Sequence, residues 1–294
     1  MPEPFGTPSK SCANSILKFM AAPPQADAPK PAIDGVKNLI TVGSGKGGVG
    51  KTTVSVNLAV ALAKLGFKVG LLDADVYGPN VPLMMGIRDQ PYMVDNKIQP
   101  LIQHGVKLMS MGFVSPTDAP IIWRGPMLHQ AIQQFLRQVD WGVLDYLIID
   151  MPPGTGDVAL SLAQTAPITG AIVVTTPSEV SLEDGRKAVL MFRQVKVELL
   201  GLVENMSYLL LDDGKRVDVF GEGGGKRTAE AMGIPFLGEL PMHPQVRIGG
   251  DTGSPVALRG EADPQAQPFF ALAKRVAERV AHGGRKAPTI SVEE

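Results

Sequence analysis

The run Gly43-Ser-Gly-Lys-Gly-Gly-Val-Gly-Lys-Thr-Thr53 has the residue types and spacing to hold a chain of phosphates. Gly45 to Thr52 satisfies the pattern G-x-x-x-x-G-K followed by Ser or Thr. Gly45, Gly47, Gly48 and Gly50 let backbone N–H groups turn inward with no side chains in the way, and Val49 sits among them. A helix that starts at the end of the loop adds the partial positive charge of its N-terminus. Lys51 is then placed to reach the β- and γ-phosphates, and the Thr52 hydroxyl, next to Thr53, to ligate Mg²⁺. Lys46 is a second lysine that such a loop does not need for its own nucleotide. A cation supplied from outside neutralises charge in phosphoryl transfer, so Lys46 predicts a dimer in which each copy reaches the other's nucleotide. The alternative is a solvated surface lysine.

Carboxylates downstream suit the same chemistry. In GLLDADVYGP, Asp73 and Asp75 follow an apolar run, at the carboxyl end of a strand where open α/β sheets bind ligands. Asp75 is the candidate for orienting an attacking water, and Asp73 for holding the water shell of the metal. In LDYLIIDMPPGTGD, Asp150 ends a second apolar run as the acid near Mg²⁺, acting through water. The segment that follows, through Asp157, is a candidate sensor of the γ-phosphate. An acid at a strand end also serves simply to cap a helix, and for Asp73 and Asp157 the two readings stay balanced.

These residues need a frame, and the sequence supplies one. Apolar runs at Lys37–Gly43, Lys68–Asp73, 146–150, 171–176 and 199–205 read as buried strands. Between them lie helical patterns at Thr52–Leu65 (Val56, Ala59, Val60 and Ala63 on one stripe, Gly66 as the stop), 127–139 and 181–195. Strands that alternate with helices in this way predict an α/β fold: one P-loop domain with a mostly parallel sheet and helices on both faces. IQPLIQHGVKLMSMG breaks at Gly105 as a hairpin or loop excursion, and PFFALAKRVAERVAHGG reads as an amphipathic helix. The expected limits are a Pro-, Ala- and Ser-rich flexible tail over 1–35, the domain over 36–283 and a second tail over 284–294.

A net charge of −1 gives no footprint for nucleic acid. No apolar run approaches the length of a spanning helix, and Ile16–Ala22 is too short and broken for a secretory signal. Cys12 is the sole cysteine, so no intrachain disulfide is available. The expectation is a protein of the reducing cytoplasm.

SGKGGVGKTT resembles the deviant phosphate loop of the SIMIBI ATPases, which share a signature lysine and work as ATP-sandwich homodimers. Within that class DADVYGPNVP, WRGPM, DYLIIDMPPGTGDVALSLAQ, VTTPSEVSLEDGRKAVLMF, GLVENMSY and FGEGGG resemble the Mrp/ApbC branch of iron–sulfur cluster carrier ATPases, from about Asn38 to Ala281. The resemblance implies MgATP binding and hydrolysis, Lys46 as the signature lysine, and Asn205 as a residue that helps recognise adenine. It also implies apo iron–sulfur proteins, or a scaffold or carrier protein, as partners. One departure is chemical. The family usually follows ENMSY with Cys-x-x-Cys, two of which in a dimer supply four thiolates to a 4Fe–4S cluster. This chain reads ENMSYLLLDDGKRVDVFG, in which Asp213-Gly214 between apolar runs predicts a β-hairpin. Cys12 is left as the sole candidate cluster ligand. His104, His129, His243 and His282 have no metal-ligand spacing. His243 lies where relatives often carry an acid near the base pocket, and a solvated loop histidine is the alternative.

A different class of function is a ParA/MinD-like positioning or adaptor switch without a cluster. Its motivation is the apolar stripe Phe269, Leu272, Ala273, Val276 and Val280 beside Lys274, Arg275 and Arg279, which suits a membrane surface as well as a sheet.

Overall fold

The computed structural model describes residues 30–76, 78–114, 125–154, 157–211 and 215–283. In chain order they form strand β1 (Val36–Gly43), helix α1 (Lys51–Lys64), β2 (Val69–Asp73), the single turn α2 (Val81–Met84), β3 (Tyr92–Val94), β4 (Lys97–Gln99), β5 (Leu101–Gln103) and β6 (Val106–Ser110). Then follow α3 (Gly125–Gln138), β7 (Leu144–Asp150), α4 (Asp157–Thr165), β8 (Gly170–Thr175), α5 (Glu179–Gln194) and β9 (Leu199–Glu204). The chain continues through β10 (Leu209–Leu210), β11 (Arg216–Val217), α6 (Gly224–Ala231), β12 (Phe236–Glu239), α7 (Pro244–Asp251) and α8 (Gln267–Gly283).

Eight strands make one sheet in the order β12-β9-β8-β1-β7-β2-β6-β5, all parallel except β5, which turns back antiparallel on β6. Side chains alternate across a strand, so each strand feeds two cores. Leu39, Leu72, Leu147 and Ile149 pack on one face with Phe135 of α3, Leu162 of α4 and Phe192 of α5. Ile40, Leu71, Ile148 and Val174 pack on the other with Leu58 of α1 and Phe269 of α8. Strands covered on both sides are apolar throughout, which is why they read as continuous runs in the sequence.

Helix α1 is buried well beyond the expected stripe, from Val54 through Leu62 without a break. An apolar surface all round a helix needs a cover on both sides. The second cover is α8, whose Phe269, Leu272, Ala273, Val276 and Val280 are all buried. The stripe offered as a membrane face is therefore spent inside the protein, and that motivation for a positioning switch is corrected. Among the described residues no helix is long and apolar enough to cross a membrane.

Two other expectations meet the structure. Residues 101–110 are a hairpin whose turn, His104 and Gly105, has φ of 53° and 79°, and β6 goes on to join the main sheet beside β2. The tail expected over 1–35 docks at its end. Arg137 donates to Pro31 O at 2.7 Å and Ala32 O at 2.6 Å, and Ile33 is buried. Packing thus reaches back at least to Pro31, before the boundary read from composition, because the Arg137 guanidinium satisfies two backbone carbonyls there. Residues 1–29, with Cys12, and 284–294 lie outside the described residues.

Candidate functional site

Sheet order decides which strand ends meet. Register places Val42, Asp150, Asp73 and Ser110 side by side across β1, β7, β2 and β6, at the carboxyl edge. The chain leaves β1 at Gly43 and enters α1 at Lys51, so the phosphate loop spans the mouth of that edge. Open α/β sheets hold ligands at this place, where neighbouring connections run to opposite sides.

Glycine is required along the loop for two reasons. Gly48 and Gly50 have φ of 81° and 78°, a region that L side chains rarely adopt, and this turns successive amides to one side. At Gly45 the reason is space, since a Cβ there would stand 1.9 Å from the carbonyl oxygen of Asp184 in α5. The loop is further tied by Ser44 Oγ, which donates to Lys46 O at 2.9 Å, and by the Gly154 amide, which donates to Ser44 O at 2.9 Å. The segment after Asp150 therefore touches the phosphate loop directly. Thr155 and Gly156 lie outside the described residues, as does the side chain of Asp157.

Lys51, Thr52 and Ser55, all on the first turns of α1, converge on one carboxylate. Lys51 Nζ lies 2.8 Å from Asp150 Oδ1, Thr52 Oγ1 donates to Asp150 Oδ2 at 2.8 Å, and Ser55 Oγ donates to Asp150 Oδ1 at 2.6 Å. Asp73 beside it is fully buried and accepts from Ser110 Oγ at 2.9 Å and from the amides of Asp75 and Val81. Burial above all, then repulsion from Asp150, pushes the Asp73 carboxyl up to about 8, against the bonds from Ser110 and Asp75 and the charge of Lys51. Asp75 is nearly buried just past β2 and accepts from the Gly78 amide at 3.3 Å. Lys46 differs from Lys51: it is partly exposed, and its ammonium has no partner among the described residues.

Asn205 is brought to the loop from the end of β9. Its Nδ2 donates to Val49 O at 2.8 Å, and a Cβ on Gly50 would fall 2.2 Å from that nitrogen. Asn205 thus braces the loop, a role that reading it as a contact to the base does not include. It also lines a cavity of about 680 Å³ with Thr52, Thr53, Met206, Met242 and His243, a size suited to a small-molecule ligand. His243 caps α7, its Nδ1 accepting from the Gln245 amide at 3.1 Å. Ser55 and Ser110 escaped the sequence reading, because nothing local marks a serine that meets a carboxylate 95 or 37 residues away.

The runs that flank Asp213-Gly214 pair antiparallel as β10 and β11, Leu209 with Val217 and Leu210 with Arg216, while residues 212–214, which hold the expected turn, lie outside the described residues. Among the described residues no three His, Cys, Asp or Glu side chains come together to hold a metal ion. His104 and His282 bond backbone carbonyls instead.

A family model described as "ParA: NUBPL iron-transfer P-loop NTPase" matches residues 35–277. An iron–sulfur cluster carrier protein of Synechocystis is 48% identical over 90% of this chain and 77% of its own length. The iron–sulfur cluster transfer protein NUBPL of Mus musculus is 46% identical over 84% and 79%. Among solved structures, a nucleotide-binding protein from Archaeoglobus fulgidus in complex with ADP has a TM-score of 0.70 and 38% identity, over 81% of this chain and 93% of that one. The cell division ATPase MinD of Pyrococcus furiosus has a TM-score of 0.60 and 25% identity, over 82% and 98%. With its phosphate loop, strand-end carboxylates and sheet in this arrangement, the chain belongs to the NUBPL-type iron-transfer family of P-loop NTPases.

Proposed function

We propose that this chain is a MgATP-dependent ATPase of the cytoplasm that closes as a homodimer and assists the assembly or transfer of iron–sulfur clusters to apoproteins. The observation that carries the reading is the convergence of Lys51, Thr52 and Ser55 on Asp150 under a phosphate-binding loop. The ADP complex of the Archaeoglobus relative supports the nucleotide, and the names of the relatives support the client.

The oxygen donors at the strand ends fit Mg²⁺. Thr52 Oγ1 and the Asp150 carboxylate are hard ligands 2.8 Å apart, with Asp73 alongside in the sheet. An ion held there, with Asp150 acting through water, would neutralise charge on the β- and γ-phosphates. The amides of Gly45 to Gly50 bind phosphate oxygens, and Lys51 adds a buried cation to them. Lys46 reaches the nucleotide of the partner subunit, and Asp75 orients the water that attacks. Asn205 holds Val49 in place and borders the cavity for the base. Gly154 ties the segment after Asp150 to the loop, so loss of the γ-phosphate alters that contact and the partner surface with it.

The described residues do not fit a 4Fe–4S cluster, which needs thiolates they lack. In the reading we propose, the cluster is cargo held on a separate scaffold or carrier, this chain supplies the ATP-driven step, and Cys12 is the one thiol the chain could offer a cluster. The test is nucleotide titration and steady-state ATPase assays on the wild type and Lys51→Ala, with iron–sulfur enzyme activities measured in a deletion strain carrying either form. Loss of binding, hydrolysis and rescue with Lys51→Ala is the expected result. Full rescue by Lys51→Ala would overturn the ATPase reading, and unchanged iron–sulfur enzymes in the deletion strain would overturn the client.

A further inference from the structure

Strand β12 is an outer strand of the sheet: among the described residues it pairs with β9 on one side and with no strand on the other. An edge left open presents backbone N–H and C=O groups to whatever lies against it. Helix α8 packs beside this strand, and the space between them is a groove made of two cavities. One, of about 590 Å³, lies at the end of β12 and is bordered by Tyr208, Lys226 and Ala271. The other, of about 380 Å³, lies at its start and is bordered by Pro235, Arg279 and His282. Phe236, Leu237 and Arg275 belong to both, so the groove follows the strand.

Arg275 is built into the groove. Its Nη1 donates to Leu237 O at 2.7 Å. Gly238 makes the room for it, since its φ is 130° and a Cβ there would collide with that nitrogen. The strand also shifts register between Phe236 and Gly238, so a regular ladder cannot form across this stretch and side chains have to carry a contact. A single bond to a carbonyl leaves most of the guanidinium N–H groups open and its charge unanswered. Arg279, one helical turn further on, and Lys226, on the other side of the groove, are exposed and have no acidic partner among the described residues. The acids nearby do not reverse this balance. Glu239 is paired with Arg216 at 3.3 Å, and Glu278 stands as a single carboxylate.

Charge and spacing together specify the occupant. Arg275 and Arg279 are separated by about 6 Å along the helix axis. Side chains on one side of an extended chain repeat every second residue, at about 6.7 Å. A segment with acids at alternate positions therefore sets one carboxylate on each guanidinium, and a further acid reaches toward Lys226. The open edge of β12 suits a peptide backbone, and a net charge of −1 does not suit nucleic acid. We propose that this groove is a docking site for an extended acidic segment of a partner protein, with carboxylates at alternate residues. A segment seated there lies near the nucleotide cavity, because β12 leads through Leu240 to Pro241 and Met242, which line it.

The test is a fluorescence-anisotropy titration of the full chain with a labelled peptide, Thr-Glu-Val-Glu-Val-Glu, and with its counterpart Thr-Lys-Val-Lys-Val-Lys. The acidic peptide is expected to bind and the basic one not to. Arg279→Glu and Lys226→Glu change exposed side chains, and each is expected to weaken the acidic peptide about tenfold or more while ADP affinity stays within about twofold. Lysine in place of one glutamate of the peptide should recover binding to Arg279→Glu. Amide hydrogen exchange at Phe236–Glu239 should slow when the acidic peptide is added to the wild type. Equal binding of the two peptides, or equal binding of the acidic peptide to the wild type and both charge-reversed variants, would overturn the site. Tighter binding of a single-stranded oligonucleotide on the same cations would overturn the class of partner. A tenfold gain in peptide affinity for Glu293→Gln combined with Glu294→Gln would overturn the partner in favour of the chain's own residues 284–294.

Discussion

Lys51 Nζ stands 2.8 Å from Asp150 Oδ1, with the two side chains 6% and 0% exposed. Taking two charges out of water is costly, and their mutual attraction repays the cost only while both are present. Asp150→Asn leaves the ammonium buried without its counter-charge, which costs about 3–5 kcal/mol. For a chain of this size that lowers the melting temperature by on the order of 10 °C in calorimetry. Lys51→Met combined with Asp150→Asn removes both charges and should regain most of the loss. Equal melting temperatures for the single and double variants would show that the pair contributes no coupling.

Asp73 gives the metal-free protein a pH dependence of definite sign. Its carboxyl ordinarily titrates at 3.8 and is pushed up to about 8 in the fold, chiefly by burial. The folded state therefore holds the proton more tightly than the unfolded chain does. That contribution is complete below the unfolded value and drains away as pH rises through the folded one. Between pH 5 and 8, in buffer without Mg²⁺ or nucleotide, the wild type should lose melting temperature more steeply than Asp73→Asn. Parallel curves would mean that Asp73 is ionised across the range.

How far these features could be read beforehand depends on whether local chemistry or sheet order controls them. The phosphate loop is local: glycine spacing, lysine and threonine are enough, and the strands around it are apolar because both sheet faces are covered. Ser110 is not local. It reaches Asp73 because β6, after a hairpin, lies next to β2, and no residue near Ser110 announces that neighbour. The C-terminal stripe was ambiguous for a related reason, since an amphipathic helix does not say what covers it. The missing clue lay in α1, where apolar residues on every side demanded a second cover.

The loop itself offers a comparison between two of its glycines. A Cβ at Gly45 would stand 1.9 Å from Asp184 O, whereas one at Gly47 would meet nothing nearer than Pro153 at 3.9 Å. Backbone cannot move aside as a flexible side chain can. Gly45→Ala should therefore push the loop off α5, lower stability by more than about 2 kcal/mol and abolish ADP binding. Gly47→Ala should stay within about 1 kcal/mol of wild type in denaturant melts. Similar stability of the two variants would place the loop elsewhere relative to α5.

Lys46 and Lys51 should separate cleanly by assay. Lys51 is buried in the site, while the Lys46 ammonium has no partner among the described residues of its own chain. If Lys46 serves the partner's nucleotide, Lys46→Ala keeps the ADP affinity of the monomer within about threefold yet loses ATP-dependent dimer closure and turnover. Calorimetric titration with ADP, beside light scattering and ATPase rates with ATP, reads both halves. Unchanged turnover would remove Lys46 from the reaction.

Asn205 allows a last distinction, between holding a base and holding a loop. Its Nδ2 bonds Val49 O at 2.8 Å and lies against Gly50, so it fixes backbone that faces phosphate and not only the rim of the base cavity. A buried acceptor left without its donor costs about 1–3 kcal/mol, which corresponds to roughly tenfold or more in affinity. Asn205→Ala should therefore weaken ADP, GDP and inorganic pyrophosphate by similar factors, because all three depend on the loop. A residue that only reads adenine would instead cost ADP its affinity and leave pyrophosphate untouched. Competition titrations with the three ligands decide the matter, and a loss confined to ADP would sink the bracing role.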